Sequence, residues 1–205
     1  AVWYPAQPDA VGQPFQYKGI FSRMGVEDAP FQTGGPYPLI LFSHANASAK
    51  EQSVFITEEL ARSGYIVIAV DHTGNSFFDD NQALLAIMNH LRPLDMSAAI
   101  DRLENPQAGD PAWFATQIDF SRIAVSGHAR GGYTALALAG AALTPSTAYR
   151  VYCASNADED VCSDYPSNED FHTFRDERVS SAVLLSPAKY TLIAAGIAQT
   201  ETPVC

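Results

Sequence analysis

Short apolar runs alternate with segments of helical periodicity along most of the chain. Pro38 to Ser43 follows the Gly34-Gly35-Pro36 turn, and Tyr65 to Val70 is apolar and rich in β-branched residues, as expected of strands buried on both faces. Ile123 to Ser126 and Val179 to Leu185 give two more strands of the same kind. Between them, Glu51 to Ser63 spaces Phe55, Leu60 and Ala61 as a helix does and stops at Gly64. Arg92 to Leu103 sets Leu94, Met96, Ala99, Ile100 and Leu103 on a shared face, and Tyr133 to Leu143 is rich in the strong helix formers Ala and Leu. Asp71 to about Asn89 reads as a loop, Leu192 to Ala198 as a short helical piece, and Thr202 to Cys205 as the first residues of another strand. The alternation predicts an α/β chain, a mostly parallel sheet with helices on both faces.

One stretch breaks the pattern. From Thr144 to Glu177, Ser, Thr, Asn, Pro and clustered acids dominate, which predicts an excursion loop, either a lid or a solvated insertion with no role. Cys153 and Cys162 lie within it, nine apart, and form a candidate local disulfide of an oxidising compartment, although the third cysteine, Cys205, makes the count odd. No CxxC or Cys/His spacing suggests zinc, and a metal site built from His72 with Asp71, Asp79 and Asp80 is disfavoured.

Composition narrows the field. The 205 residues, 47% hydrophobic and 17% charged, are those of a folded chain, with one domain as the default count. Twelve basic against 23 acidic residues give a net charge of −11, which argues against nucleic acid and anionic lipid as partners. The longest apolar run, Ala135 to Leu143, is broken by Gly140 and is too short to span a membrane. The chain opens Ala1-Val2-Trp3 with no initiator Met, which together with the cysteine pair leads us to expect a processed, secreted or periplasmic protein, a cytoplasmic one being the alternative.

The chemistry concentrates at Ile123-Ala124-Val125-Ser126-Gly127-His128-Ala129-Arg130-Gly131-Gly132, a strand, a sharp turn and a helix start. Gly127 and Gly131 stand two positions either side of Ala129, as a Gly-x-Ser-x-Gly nucleophile elbow requires. The central residue is alanine, which has no oxygen to attack with, so covalent serine catalysis is excluded for the chain as it stands.

On these residues the chain resembles the α/β-hydrolase superfamily, in particular predicted dienelactone hydrolases and the bacterial relatives of platelet-activating-factor acetylhydrolase. The motif from Gly127 through Leu136 matches Gly-His-Ser-x-Gly-Gly-Tyr-Thr-Ala-Leu and is the most specific part of the likeness. Val2 to Pro5, Leu41 to His44, Val70 to Ser76 and the Arg92-Pro93-Leu94-Asp95 segment resemble further family segments in the same order. Two positions depart: Ala129 where the family has Ser, and Ala45 where it has Gly after His44. The first is the substitution an experimenter makes to trap a substrate complex, a drifting non-catalytic homologue being the alternative. The second could crowd the oxyanion loop.

The resemblance implies a carboxylic ester or lactone hydrolase acting through an acyl-enzyme, with no cofactor and a small-molecule substrate. It implies an oxyanion hole made by the N–H of Arg130, after the nucleophile position, and an N–H after the second strand, for which we choose Asn46. The Arg130 side chain is then expected to be a surface charge, and His44 and His128 to be packing residues. The family's chain order is nucleophile, acid, base, and the only histidine after the elbow is His172, in the acidic stretch. The catalytic acid and base are therefore expected beyond Cys205, the 205 residues forming most of one domain without its last strands and helices. Three functional alternatives stay open: the hydrolase, a natural pseudo-hydrolase binding an apolar acyl or aromatic ligand, and one fragment of a split hydrolase completed by a second chain. Trp113-Phe114, Phe77-Phe78 and Tyr190 are candidate pocket aromatics, none singled out.

Overall fold

The computed structural model describes residues 1–17, 21–85, 87–142, 147–159, 162, 173–188 and 200–205. In chain order the strands and helices are β1 (Val2–Trp3), β2 (Pro14–Tyr17), β3 (Phe21–Val26), β4 (Tyr37–Ser43), α1 (Val54–Arg62), β5 (Ile66–Ala69), β6 (Asn75–Ser76), β7 (Asp79–Asp80), α2 (Met88–Glu104), α3 (Phe114–Gln117), β8 (Ile118–His128), α4 (Arg130–Leu138), α5 (Thr147–Ser155) and β9 (Val179–Leu185).

Five strands form the central sheet in the order β1-β5-β4-β8-β9. β1 runs antiparallel to β5, and the remaining pairs are parallel. Side chains alternate across the sheet as the two-residue period of a strand demands. From β4, Leu39 and Leu41 join Met96, Ile100 and Leu103 of α2 and Leu138 of α4 on one face. Ile40 and Phe42 join Val54 and Ala61 of α1 on the other. Covering both faces is what makes β4 and β5 read as unbroken apolar runs rather than alternating ones. After β9, Pro203 to Cys205 lie beside that strand: Pro203 and Cys205 carbonyls accept from the Ala182 and Leu184 N–H groups, and the Val204 bridge is parallel. The expected strand start is present.

The differences are local. α2 begins a turn before Arg92, at Met88, because Pro93 near its start removes only one helical hydrogen bond. β8 extends back to Ile118, pairing with Tyr37 through a register shift. The loop after Asp71 contains the β6–β7 hairpin and a 3₁₀ turn at Gln82–Leu84. The antiparallel β2–β3 hairpin, which has no clear alternating pattern, is held to α1 by a chain from the Trp3 indole N–H to the Tyr17 hydroxyl at 2.8 Å and on to Glu58 at 3.0 Å.

The acidic stretch is not a featureless loop, since α5 lies inside it. Cys153 on α5 and Cys162 are joined in a disulfide with Cα atoms 5.3 Å apart, and both pack with Ile87 and Tyr149 in a small apolar cluster. His172, Tyr190 and the Leu192 to Ala198 segment lie outside the described residues.

Candidate active site

β8 ends at His128, α4 begins at Arg130, and the single residue between them turns the chain. Ala129 adopts φ 53° and ψ −111°, a region that residues with a Cβ enter only under constraint. The constraint is visible. The Ala129 N–H donates to the Leu185 carbonyl at 2.9 Å, and its carbonyl accepts from the Ala188 N–H at 2.8 Å, so the end of β9 clasps the turn from both sides. A Cβ on Gly131 would stand 1.8 Å from the Ser43 carbonyl oxygen, and one on Gly127 would stand 2.3 Å from the Gly131 carbonyl carbon. Both glycines are required because backbone, which cannot move aside, occupies the space.

This geometry presents the Ala129 side-chain position at the C-terminal end of the sheet, over the first turn of α4. The Arg130 N–H sits at the first position of that helix, where no intrahelical acceptor exists. Its side chain is a correction to the sequence expectation: Arg130 is 7% exposed, and its Nη1 has no partner among the described residues. α4 packs against β8, β9, β4 and α2, and its first turn is buried with it, so the long side chain lies inside instead of in solvent. Burial pushes the guanidinium down, and Tyr133 and Asp80 oppose that shift.

The loop after β4 forms the second wall. Asn46 is exposed, and its side-chain oxygen accepts from the Asn75 amide at 3.1 Å. Ala45 needs no left-handed backbone; the positive φ falls at Ala47, at 47°. The loop is held from within by Arg92, a fully buried residue of α2. Arg92 donates to the Asn75 side-chain oxygen and the Ser43 hydroxyl, each at 3.1 Å, and to the His44 carbonyl. On the outside, Gln52 accepts from the Ala45 N–H at 2.7 Å and contacts His128 Nδ1 at 2.7 Å.

A directed hydrogen-bond chain runs beneath this wall. Arg92 donates to the Ser43 hydroxyl, which lies 2.9 Å from His72 Nε2, and His72 Nδ1 lies 2.7 Å from Asp95. The Asp95 carboxylate only accepts, so His72 Nδ1–H donates to it; the neutral ring's Nε2 is then the acceptor, and the Ser43 hydroxyl donates to it. Spacing and residue types are those of a Ser-His-Asp triad, but Ser43 and His72 are completely buried and Ser43 carries the Arg92 guanidinium, so no substrate reaches it. Burial and the Arg92 charge hold His72 well below its ordinary range, and burial raises Asp95 to about 6 against the pull of Arg92. His44 is likewise neutral, lowered to about 4 by burial and then by Arg92 and His72; its Nε2 accepts from the His72 N–H, which leaves Nδ1–H to donate to the Ala45 carbonyl.

Sequence reasoning brought Gly127, His128, Ala129, Arg130 and Gly131 together and placed Asn46 across from them. It missed Gln52 and assigned His72 to a strand-end loop. The carboxylates near His72 in sequence turn elsewhere, Asp71 to Lys50, Asp79 to the Gly74 N–H and Asp80 to Gln82. Of the pocket aromatics, Phe77 and Phe78 are exposed, at 70% and 73%, and Trp113 and Phe114 pack against the core.

Parallel strands flanked by helices, with a strand, a one-residue turn and a helix at the centre, define an α/β-hydrolase fold. A ferulic acid esterase from Streptomyces cinnamoneus shares it, with a TM-score of 0.56 and 21% identity over 89% of this chain and 49% of that one. A hypothetical protein from Pseudomonas aeruginosa aligns with a TM-score of 0.45 and 20% identity over 75% of this chain and 34% of its own. In sequence the chain is similar to platelet-activating factor acetylhydrolases. Residues 17–83 match the family model of platelet-activating factor acetylhydrolase, isoform II. The platelet-activating factor acetylhydrolase of Cavia porcellus is 27% identical over an alignment covering 66% of this chain and 45% of that protein. The chain thus spans about half the length of these relatives.

Proposed function

We propose that this chain is the nucleophile-elbow part of a carboxylic ester or lactone hydrolase, carried here in a form that binds its substrate without cleaving it. The observation that carries the reading is the constrained backbone of Ala129, a conformation of no use to an alanine and the one that aims a serine hydroxyl at a substrate carbonyl. With a hydroxyl at that position, its oxygen would attack the carbonyl carbon as its proton passes to a histidine base. The Arg130 and Asn46 N–H groups would hold the oxyanion, the alcohol would leave with that proton, and water would release the acyl group. In this reading the base and its carboxylate come from residues following the strand that starts at Pro203, or from a second chain. The related acetylhydrolase and the esterase that shares the fold support ester hydrolysis as the reaction class.

The Cys153–Cys162 disulfide supports an oxidising compartment, secreted or periplasmic, as the place of action. A natural pseudo-hydrolase that uses the site only to bind is the second reading, favoured by the missing nucleophile itself. The test is Ala129→Ser in the full-length protein, assayed against acetyl, long-acyl and aromatic esters. Hydrolysis above the Ala129 background supports the hydrolase; no hydrolysis of any ester, with ester binding retained, contradicts it in favour of the pseudo-hydrolase.

A further inference from the structure

Gln52 lies at the far end of the connection between β4 and α1, in the turn that leads into the helix, and its amide touches both the start of that connection, at Ala45, and the elbow, at His128. The Ala45 N–H can only donate, so the Gln52 oxygen must face it, and the Gln52 NH₂ therefore faces His128. An NH₂ can only donate, so His128 Nδ1 is the acceptor and its ring proton sits on Nε2. A backbone N–H thus fixes an amide, and the amide fixes a tautomer.

The same contact has a second consequence. The His44 carbonyl and the Ala45 N–H belong to one peptide plane. Arg92 holds its oxygen from the buried side, and Gln52 holds its N–H from the outer side. A trans peptide plane held at both ends cannot flip; the next plane, which carries the Asn46 N–H, is held through its own carbonyl, that of Ala45, by His44 Nδ1 at 2.7 Å. Ala45 itself, its N–H already taken by Gln52, is not free to bind an oxyanion.

We infer that Gln52 is a positioning residue that locks the start of the loop after β4 to the nucleophile elbow and, by presenting its NH₂ to His128 Nδ1, places the ring proton on Nε2. The residue type follows from the task, since a side chain must accept at one end and donate at the other: Glu cannot donate, Lys cannot accept, and Asn is one methylene shorter. The consequence for catalysis rests on the ester-hydrolase reading; the positioning itself does not.

Nitrogen NMR of the chain with Ala129 in place reads the geometry without any turnover. Native His128 should show the proton on Nε2 and an acceptor Nδ1. Gln52→Glu keeps an acceptor for Ala45 but sets an oxygen against Nδ1, so Nδ1 should become protonated. Gln52→Ala should speed Ala45 amide exchange by about tenfold or more, as expected for loss of the acceptor that holds this N–H. A proton on Nδ1 in the native chain, or unchanged Ala45 exchange in Gln52→Ala, overturns the positioning role. In the full-length Ala129→Ser background, Gln52→Ala should lower kcat on an acetyl ester by about tenfold with KM within about twofold, the signature of lost transition-state support. Gln52→Glu, which still holds Ala45, should lose less. An unchanged kcat in Gln52→Ala overturns the catalytic consequence. Should Ala129→Ser hydrolyse nothing, the ester-hydrolase reading fails while the NMR results still decide the role of Gln52.

Discussion

The two walls of the site are built by different physics. The elbow wall is steric: Gly127 and Gly131 stand where any Cβ would collide with backbone, and Ala129 is pressed into a left-handed conformation between them. The wall after β4 is polar: Ala45 already carries a Cβ, and position comes from side chains 7 to 48 residues away, Gln52 and Arg92, on the two ends of one peptide plane. A steric wall fails at once when a methyl group is added. A hydrogen-bonded wall tolerates the methyl and fails when a distant partner is removed.

The largest effect is expected at Gly131. Gly131→Ala places a methyl carbon on the Ser43 carbonyl oxygen, so the chain should lose about 4 kcal/mol or fail to fold, read by chemical denaturation. Arg92→Met should follow, at about 3 kcal/mol, because it leaves Ser43, the His44 carbonyl and Asn75 as buried groups without their donor. If Arg92→Met were neutral, the polar wall would not depend on that residue.

Asp95 gives a smaller, pH-dependent effect. Burial raises its carboxyl to about 6, above the ordinary value, so the folded chain holds this proton more tightly than the unfolded one. The stability this provides is present below about pH 4 and is lost as the pH rises towards 6. Asp95→Asn removes that loss and should gain on the native chain across this window. The gain should be no more than about 1 kcal/mol, because the carboxyl is 39% exposed and partly screened. Denaturation midpoints of both proteins from pH 4 to 7 check the sign. The smallest effect is expected for Ala45→Gly, a loss of about 0.5 kcal/mol from chain entropy alone, since position 45 demands no positive φ. A large gain in stability there would mean that the methyl group strains the loop.

The same contrast explains what the sequence made legible. The elbow was readable because its requirement is local: two glycines at fixed spacing between an apolar strand and an Ala-rich helix. β4 and β5 were readable because burial on both faces leaves unbroken apolar runs. The relay from Arg92 through Ser43 and His72 to Asp95 was not, because its partners are 49, 29 and 23 residues apart and each is an ordinary polar residue in its own segment. The β2–β3 hairpin lacks the alternation that marks a half-buried strand, and α5 was hidden by the acidic composition around it. Arg130 was misjudged for a similar reason: its charge suggested solvent, and the burial of the whole of α4 is set by elements distant in sequence.

The measurement that bears most directly on the site is a burst experiment on the full-length Ala129→Ser protein with p-nitrophenyl acetate, followed by mass analysis of the peptide spanning residue 129. The account predicts a p-nitrophenol burst approaching one equivalent and a single acetyl group on the introduced hydroxyl. A protein that binds the ester but shows neither burst nor acetylated peptide would contradict it, and would mean that the strained turn at Ala129 serves binding alone.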